Sequence, residues 1–177
     1  LSGAINKLDY LKNLGITAIE LMPITEFDGN NSWGYNPNHY FAPDKAYGTP
    51  EMYKKFIDEC HKRGIAVILD MVFNHATGLC PFALLYWDSA NNRPATNNPW
   101  MNPVAPHQFS VFNDFNHTYW GTKEYFKRVL QYWITEYKVD GYRMDLSKGF
   151  TQNSGTESSY DQSRVDILTE YFNAVTD

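Results

Sequence analysis

Residues 65–75 read Ile65-Ala66-Val67-Ile68-Leu69-Asp70-Met71-Val72-Phe73-Asn74-His75, five apolar side chains in a row that run into polar ones. A continuous apolar run of this length is the mark of a strand in a parallel sheet covered on both faces. Its polar end then lies at the carboxyl edge of that sheet, where parallel barrels keep their active sites. Just upstream, Thr49 is an N-cap with Pro50 at the first helical position. Met52, Tyr53, Phe56, Ile57 and Cys60 recur on one face until Gly64, so a helix feeds this strand.

The same unit recurs on either side. Ile5, Leu8 and Leu11 predict a helix closed by Gly15, and Ile16 to Ile24 an apolar strand ended near Pro23. Downstream, Phe126, Val129, Leu130 and Trp133 return to the helical period. A short strand follows within Val139 to Leu146, and Val165, Leu168, Phe172 and Val175 mark a further helix. Strands alternating with helices favour a parallel α/β sheet. Residues 76–122 break the pattern: five prolines and many asparagines make them an inserted loop or small subdomain.

Composition narrows the function classes. The 177 residues carry a dispersed net charge of −5 with no Lys/Arg block, which argues against a nucleic-acid partner. No apolar run is long enough for a membrane span, and no leader of the charged-apolar-small form begins at Leu1. Two cysteines make neither a disulfide framework nor metal-ligand spacing. Aromatic side chains, at 16% of the chain, suit packing and the stacking of sugar rings alike.

The second polar strand end is Gly141-Tyr142-Arg143-Met144-Asp145. Two-residue spacing sets Arg143 and Asp145 on one face of a strand. A guanidinium beside a carboxylate favours its ionised form, the form in which a carboxylate attacks an anomeric carbon. A purely structural ion pair is the alternative at this point. His39, His61, His107 and His117 read as surface or structural histidines. Trp87, Trp100 and Trp120 read as packing or as sugar platforms, and Asp114 as a turn cap or a calcium ligand.

Asp70-Met71-Val72-Phe73-Asn74-His75 and Gly141-Tyr142-Arg143-Met144-Asp145 resemble, in order, two signature segments of the α-amylase family, glycoside hydrolase family 13. Glu20-Leu21-Met22-Pro23 is similar to the family's second barrel strand. Trp33-Gly34-Tyr35-Asn36-Pro37 is similar to the loop whose Tyr stacks under the sugar being cleaved. The resemblance implies a partial (β/α)8 TIM barrel spanning residues 1–177. It implies a retaining hydrolase or transglycosylase acting on an α-glucan of the starch or glycogen type, amylase-like or branching-enzyme-like. Asp145 would be the nucleophile and Arg143 its electrostatic support; Tyr35, His75 and Lys148 would contact sugar; Asp70 and Asn74 would hold the surroundings. No cofactor is implied as required, and a structural calcium is implied in some members. Gly149 departs from the Lys-His pair frequent in amylases, which leaves the substrate open.

The family's acid/base Glu has no counterpart here, since Glu157 and Glu170 lack its context and a whole barrel takes about 250 residues. The chain is therefore expected to be a piece of a longer protein, inactive alone, and to self-associate through open strand edges. A non-catalytic barrel or sugar-binding relic is the competing reading; retention of Asp145, Arg143, His75 and Tyr35 weighs against it.

Overall fold

The computed structural model describes residues 1–176. Two short helices, α1 (Ser2–Ile5) and α2 (Leu8–Asn13), open the chain in place of the single predicted one. The break falls at Asn6 and Lys7, and Gly15 (φ 89°) makes the turn into β1 (Ala18–Leu21), a shorter strand than predicted. Next come β2 (Thr25–Phe27) and β3 (Pro37–Pro43), an antiparallel pair, and helix α3 (Pro50–Lys62). Thr49 caps α3 as its sequence predicts, its hydroxyl accepting from the Met52 amide, and Gly64 ends the turn at φ 67°.

Strand β4 (Ala66–Met71) is the centre of the molecule. It is followed by β5 (His75–Ala76), α4 (Pro81–Leu84), β6 (Trp87–Asp88), β7 (Arg93–Pro94) and β8 (Asn113–Asp114). Helix α5 (Trp120–Tyr137), β9 (Gly141–Met144), a 3-10 turn over Ser147–Phe150 and α6 (Gln162–Thr176) complete the order. The principal sheet is β1-β4-β9, all parallel, with a helix in each crossover. Asp140 locks β9 to β4: its amide donates to the Val67 carbonyl at 2.9 Å and its carboxylate accepts from the Val67 amide at 2.7 Å.

The helices cover one face of this sheet. Val67, Leu69 and Met71 of β4 are buried against Tyr53, Phe56, Ile57 and Cys60 of α3 and Val129, Leu130 and Trp133 of α5 in one core. Ala66 and Ile68 on the opposite face are only half-buried, so β4 is not covered on both sides as its composition predicts. The last helix also departs from expectation. Ile167 and Tyr171 are its buried residues, while Val165 and Phe172 are exposed. Phe172, Leu168 and Val175 line an apolar groove of ≈ 330 Å³ beside β9.

Residues 76–122 are not a separate body. The β5-β8 ribbon brings them back to the strand end, and Phe82, Trp100, Met101 and Phe115 join the principal core, with Phe82 stacked on Trp100 at 4.3 Å. The helix that ends this segment begins at Trp120. No helix of the described residues is long and apolar enough to cross a membrane.

Candidate functional site

Register builds the site. Asp70 of β4 and Arg143 of β9 are paired positions on neighbouring parallel strands, so their side chains emerge together on the open face. One guanidinium nitrogen of Arg143, Nη1, donates to both oxygens of Asp70 at 2.9 Å and to Oδ1 of Asp145 at 2.7 Å. Asp145 lies one residue beyond β9 and continues the ladder, its amide donating to the Met71 carbonyl at 2.9 Å. Leu146 then turns left-handed at φ 49°. For a residue with a Cβ that conformation costs about 1–2 kcal/mol, and it fixes where the Asp145 backbone leaves the sheet.

The two carboxylates differ in setting. Asp70 is 2% exposed and accepts a third hydrogen bond, from the Tyr35 hydroxyl at 2.7 Å. Asp145 keeps 20% of its side chain exposed and Arg143 keeps 45%. Buried Asp70 thus orients the guanidinium, and the guanidinium presents Asp145 to solvent. Partial burial, followed by the Asp70 hydrogen bond, pushes the Tyr35 phenol up to about 12, so it stays a proton donor.

Tyr35 is tied down at its backbone as well. Its carbonyl accepts from Nε2 of His75 at 2.9 Å, while Nδ1 of His75 lies 3.0 Å from the Asn74 side-chain amide. Gly34 before it takes φ 92°, and a Cβ there would fall 2.2 Å from the Pro23 carbonyl oxygen, so only glycine brings this loop against the end of β1. His75 is buried, which lowers its pKa and keeps the ring neutral; the Tyr35 carbonyl and Asp145 act in the other direction. Both His75 ring nitrogens are engaged inside the protein, on the Tyr35 carbonyl and on Asn74, which leaves neither free in this arrangement for the sugar contact that the resemblance implies.

Asn74 is fully buried, donating to His75 and, at 3.4 Å, to the Phe109 carbonyl. Its Oδ1 has no donor and faces Gly149, where a Cβ would sit 1.8 Å away. The Gly149 that departs from the amylase pattern thus packs its backbone directly against the Asn74 side chain. Lys148, on the 3-10 turn, is exposed and takes no part in the Asp70-Arg143-Asp145 cluster.

Asp114 is no turn cap: it lies on β8 opposite His75, buried, accepting from Asn102 at 2.8 Å with His107 Nε2 3.0 Å away, off the line of a hydrogen bond. Burial raises its pKa. Among the described residues no group of three or more His, Cys, Asp or Glu side chains could hold a metal ion. His117 is fully buried, stacked on Phe150 at 4.3 Å and bonded to the Phe73 carbonyl and the Tyr171 hydroxyl. His39 and His61 are exposed, His61 against Asp140. Glu170 forms surface ion pairs with Lys123 and Lys127, and Glu157 accepts from the Gln108 amide at 2.9 Å. Of the three Trp residues in the segment, Trp87 and Trp100 pack against the core and Trp120 is exposed.

Periodicity gives no sign of Phe112. It is 60% exposed, takes φ 47°, and sets its ring 5.7 Å from that of His75. Its exposure and its left-handed backbone just before β8 single it out in the structure.

The profile of the α-amylase catalytic domain matches residues 1–107. The chain is 37% identical over 155 residues to the malto-oligosyltrehalose trehalohydrolase of Saccharolobus solfataricus, covering 86% of this chain and 25% of that protein. It is 32% identical over 148 residues to the 1,4-alpha-glucan branching enzyme GlgB of Saccharophagus degradans, covering 80% and 19%. It therefore spans a quarter or less of the length of these curated relatives. The crystal structure of the α-amylase from Geobacillus thermoleovorans, complexed with acarbose, superposes with a TM-score of 0.73 at 26% identity, over 99% of this chain and 38% of the other. The β1-β4-β9 sheet is thus part of a TIM-barrel wall, and the chain belongs to the α-amylase catalytic-domain family, glycoside hydrolase family 13.

Proposed function

We propose that this chain carries the nucleophile half of a retaining α-glucan hydrolase or transglycosylase. Asp145 attacks the anomeric carbon, and Arg143 holds it in place. Asp70 aims Arg143, Tyr35 offers a ring face to the sugar, His75 and Asn74 hold the Tyr35 loop, and Lys148 contacts sugar further along. The observation that carries this reading is the single guanidinium nitrogen shared by a buried and an accessible carboxylate. A retaining reaction needs a second carboxyl group about 5–5.5 Å from the first to protonate the leaving oxygen. Asp70 is the near carboxylate, and both its oxygens already accept hydrogen bonds from Arg143 and Tyr35. We therefore propose that the chain by itself turns over no glucan.

A substrate whose leaving group needs no proton separates the two steps. With an α-maltosyl fluoride that carries a second fluorine on the ring to slow breakdown, an Asp145 oxygen forms the bond to C1 as the C1–F bond breaks and fluoride departs. Intact-mass spectrometry with peptide mapping is expected to find one added fluoromaltosyl group on Asp145 and none on Asp145→Asn, and neither protein is expected to cleave maltotetraose. Labelling of another residue, or maltotetraose turnover lost in Asp145→Asn, overturns the corresponding part of the reading. Water or a sugar hydroxyl resolves such an intermediate, giving hydrolysis or branching. The match to a branching enzyme keeps transfer beside hydrolysis.

A further inference from the structure

Phe112 combines two features that a fold does not select for at a residue serving packing alone. Its ring is 60% exposed, and its backbone sits at φ 47°, where glycine would rest without strain. Both costs fall at the rim of the site. The ring lies 5.7 Å from the His75 ring at an interplanar angle of 41°. His75 in turn holds the Tyr35 carbonyl, so Phe112 and Tyr35 flank the same histidine.

Its backbone is anchored on the C-terminal side. Immediately after it, Asn113 pairs with Ala76 and Asp114 with His75, and the Phe115 amide donates to the Asn74 carbonyl at 3.0 Å. A backbone held this way has less freedom left to lose when a ligand covers the ring, and an exposed aromatic face suits the apolar face of a pyranose.

We propose that Phe112 is a stacking platform for a glucose unit of the α-glucan, next to the unit over Tyr35, and that its size helps set which chains the site accepts. This rests on the α-glucan reading above. Its alternative is a structural lid that merely keeps water off His75.

The test is a titration of the whole chain with maltotetraose, followed by amide NMR shifts, together with thermal melting. Phe112→Ala is expected to weaken binding about tenfold. Phe112→Leu should recover little of that and Phe112→Trp most of it, while Phe112→Gly melts at or above the parent because the backbone strain is relieved. If Tyr35→Ala weakens binding and Phe112→Ala or Phe112→Leu binds like the parent, the platform is overturned and the α-glucan reading stands. Phe112→Gly melting well below the parent makes the ring a structural lid, which also overturns it. Absence of saturable shifts with maltotetraose in the parent chain overturns both.

Discussion

At the scale of single residues the site works by unequal burial. Asp70 spends three hydrogen bonds on fixing Arg143 and Tyr35, which leaves Asp145 as the accessible carboxylate. Gly149 shows how narrow the tolerances around it are. A Cβ there would overlap Asn74 Oδ1 at 1.8 Å and approach His107 Cε1 at 3.0 Å. Gly149→Ala should cost about 1–3 kcal/mol through overpacking, which for a domain of this size lowers the melting temperature by about 2–4 °C per kcal/mol. An unchanged melt would show that Asn74 yields freely. Two buried histidines contribute to the loss of stability in acid. Burial lowers the pKa of His117 to about 3 and also lowers that of His75, against an unfolded value of about 6.5. The unfolded chain therefore binds more protons over this window. The stability contributed by the neutral rings is fully present above pH ~6.5 and is lost as pH falls toward 3. Chemical denaturation at stepped pH should show His117→Gln losing part of that dependence; an unaltered slope would count against a buried neutral ring.

At the scale of elements, local chemistry and packing disagree in instructive places. Helix α5 ends on Lys138 in the left-handed conformation, its amide donating to the Ile134 carbonyl. That position favours glycine. Lys138→Gly should stabilise the chain by up to about 1 kcal/mol, read as a rise in melting temperature, and a fall would mean that the Lys138 ammonium on the Thr135 carbonyl matters more than the backbone. Helix α3 was legible residue by residue because cap, proline and apolar stripe agree in Thr49, Pro50 and Tyr53 to Cys60. Helix α6 was not. Leu168, Phe172 and Val175 of its apolar stripe line an open groove, and the capping contact at its start, Asp161 accepting from the Ser163 amide at 2.9 Å, lies outside the periodic pattern.

At the scale of the whole molecule, the three-strand sheet leaves the outer edges of β1 and β9 without a strand partner among the described residues. Apolar grooves line both margins, one with Leu21, Met22 and Tyr53, the other with Tyr142, Met144 and Phe172. Unpaired edges beside apolar surface favour association. Light scattering over a concentration series should therefore show a mass that grows above the monomer, and a constant monomer mass at high concentration would refute it.

The sequence alone determined the alternation of helix and parallel strand, the two polar strand ends at Asp70 to His75 and at Arg143 and Asp145, and the family they resemble. These are written in local periodicity and short spacings, which hydrophobic burial and strand geometry enforce wherever the chain goes. The tertiary structure alone decided that Asp70 is buried while Asp145 is accessible, that His75 grips the Tyr35 backbone, that Gly149 packs against Asn74, and that Phe112 stands at the rim. Each of these depends on segments far apart in the chain meeting at one register. Burial and hydrogen-bond partners are properties of that meeting, not of any residue's neighbours in sequence.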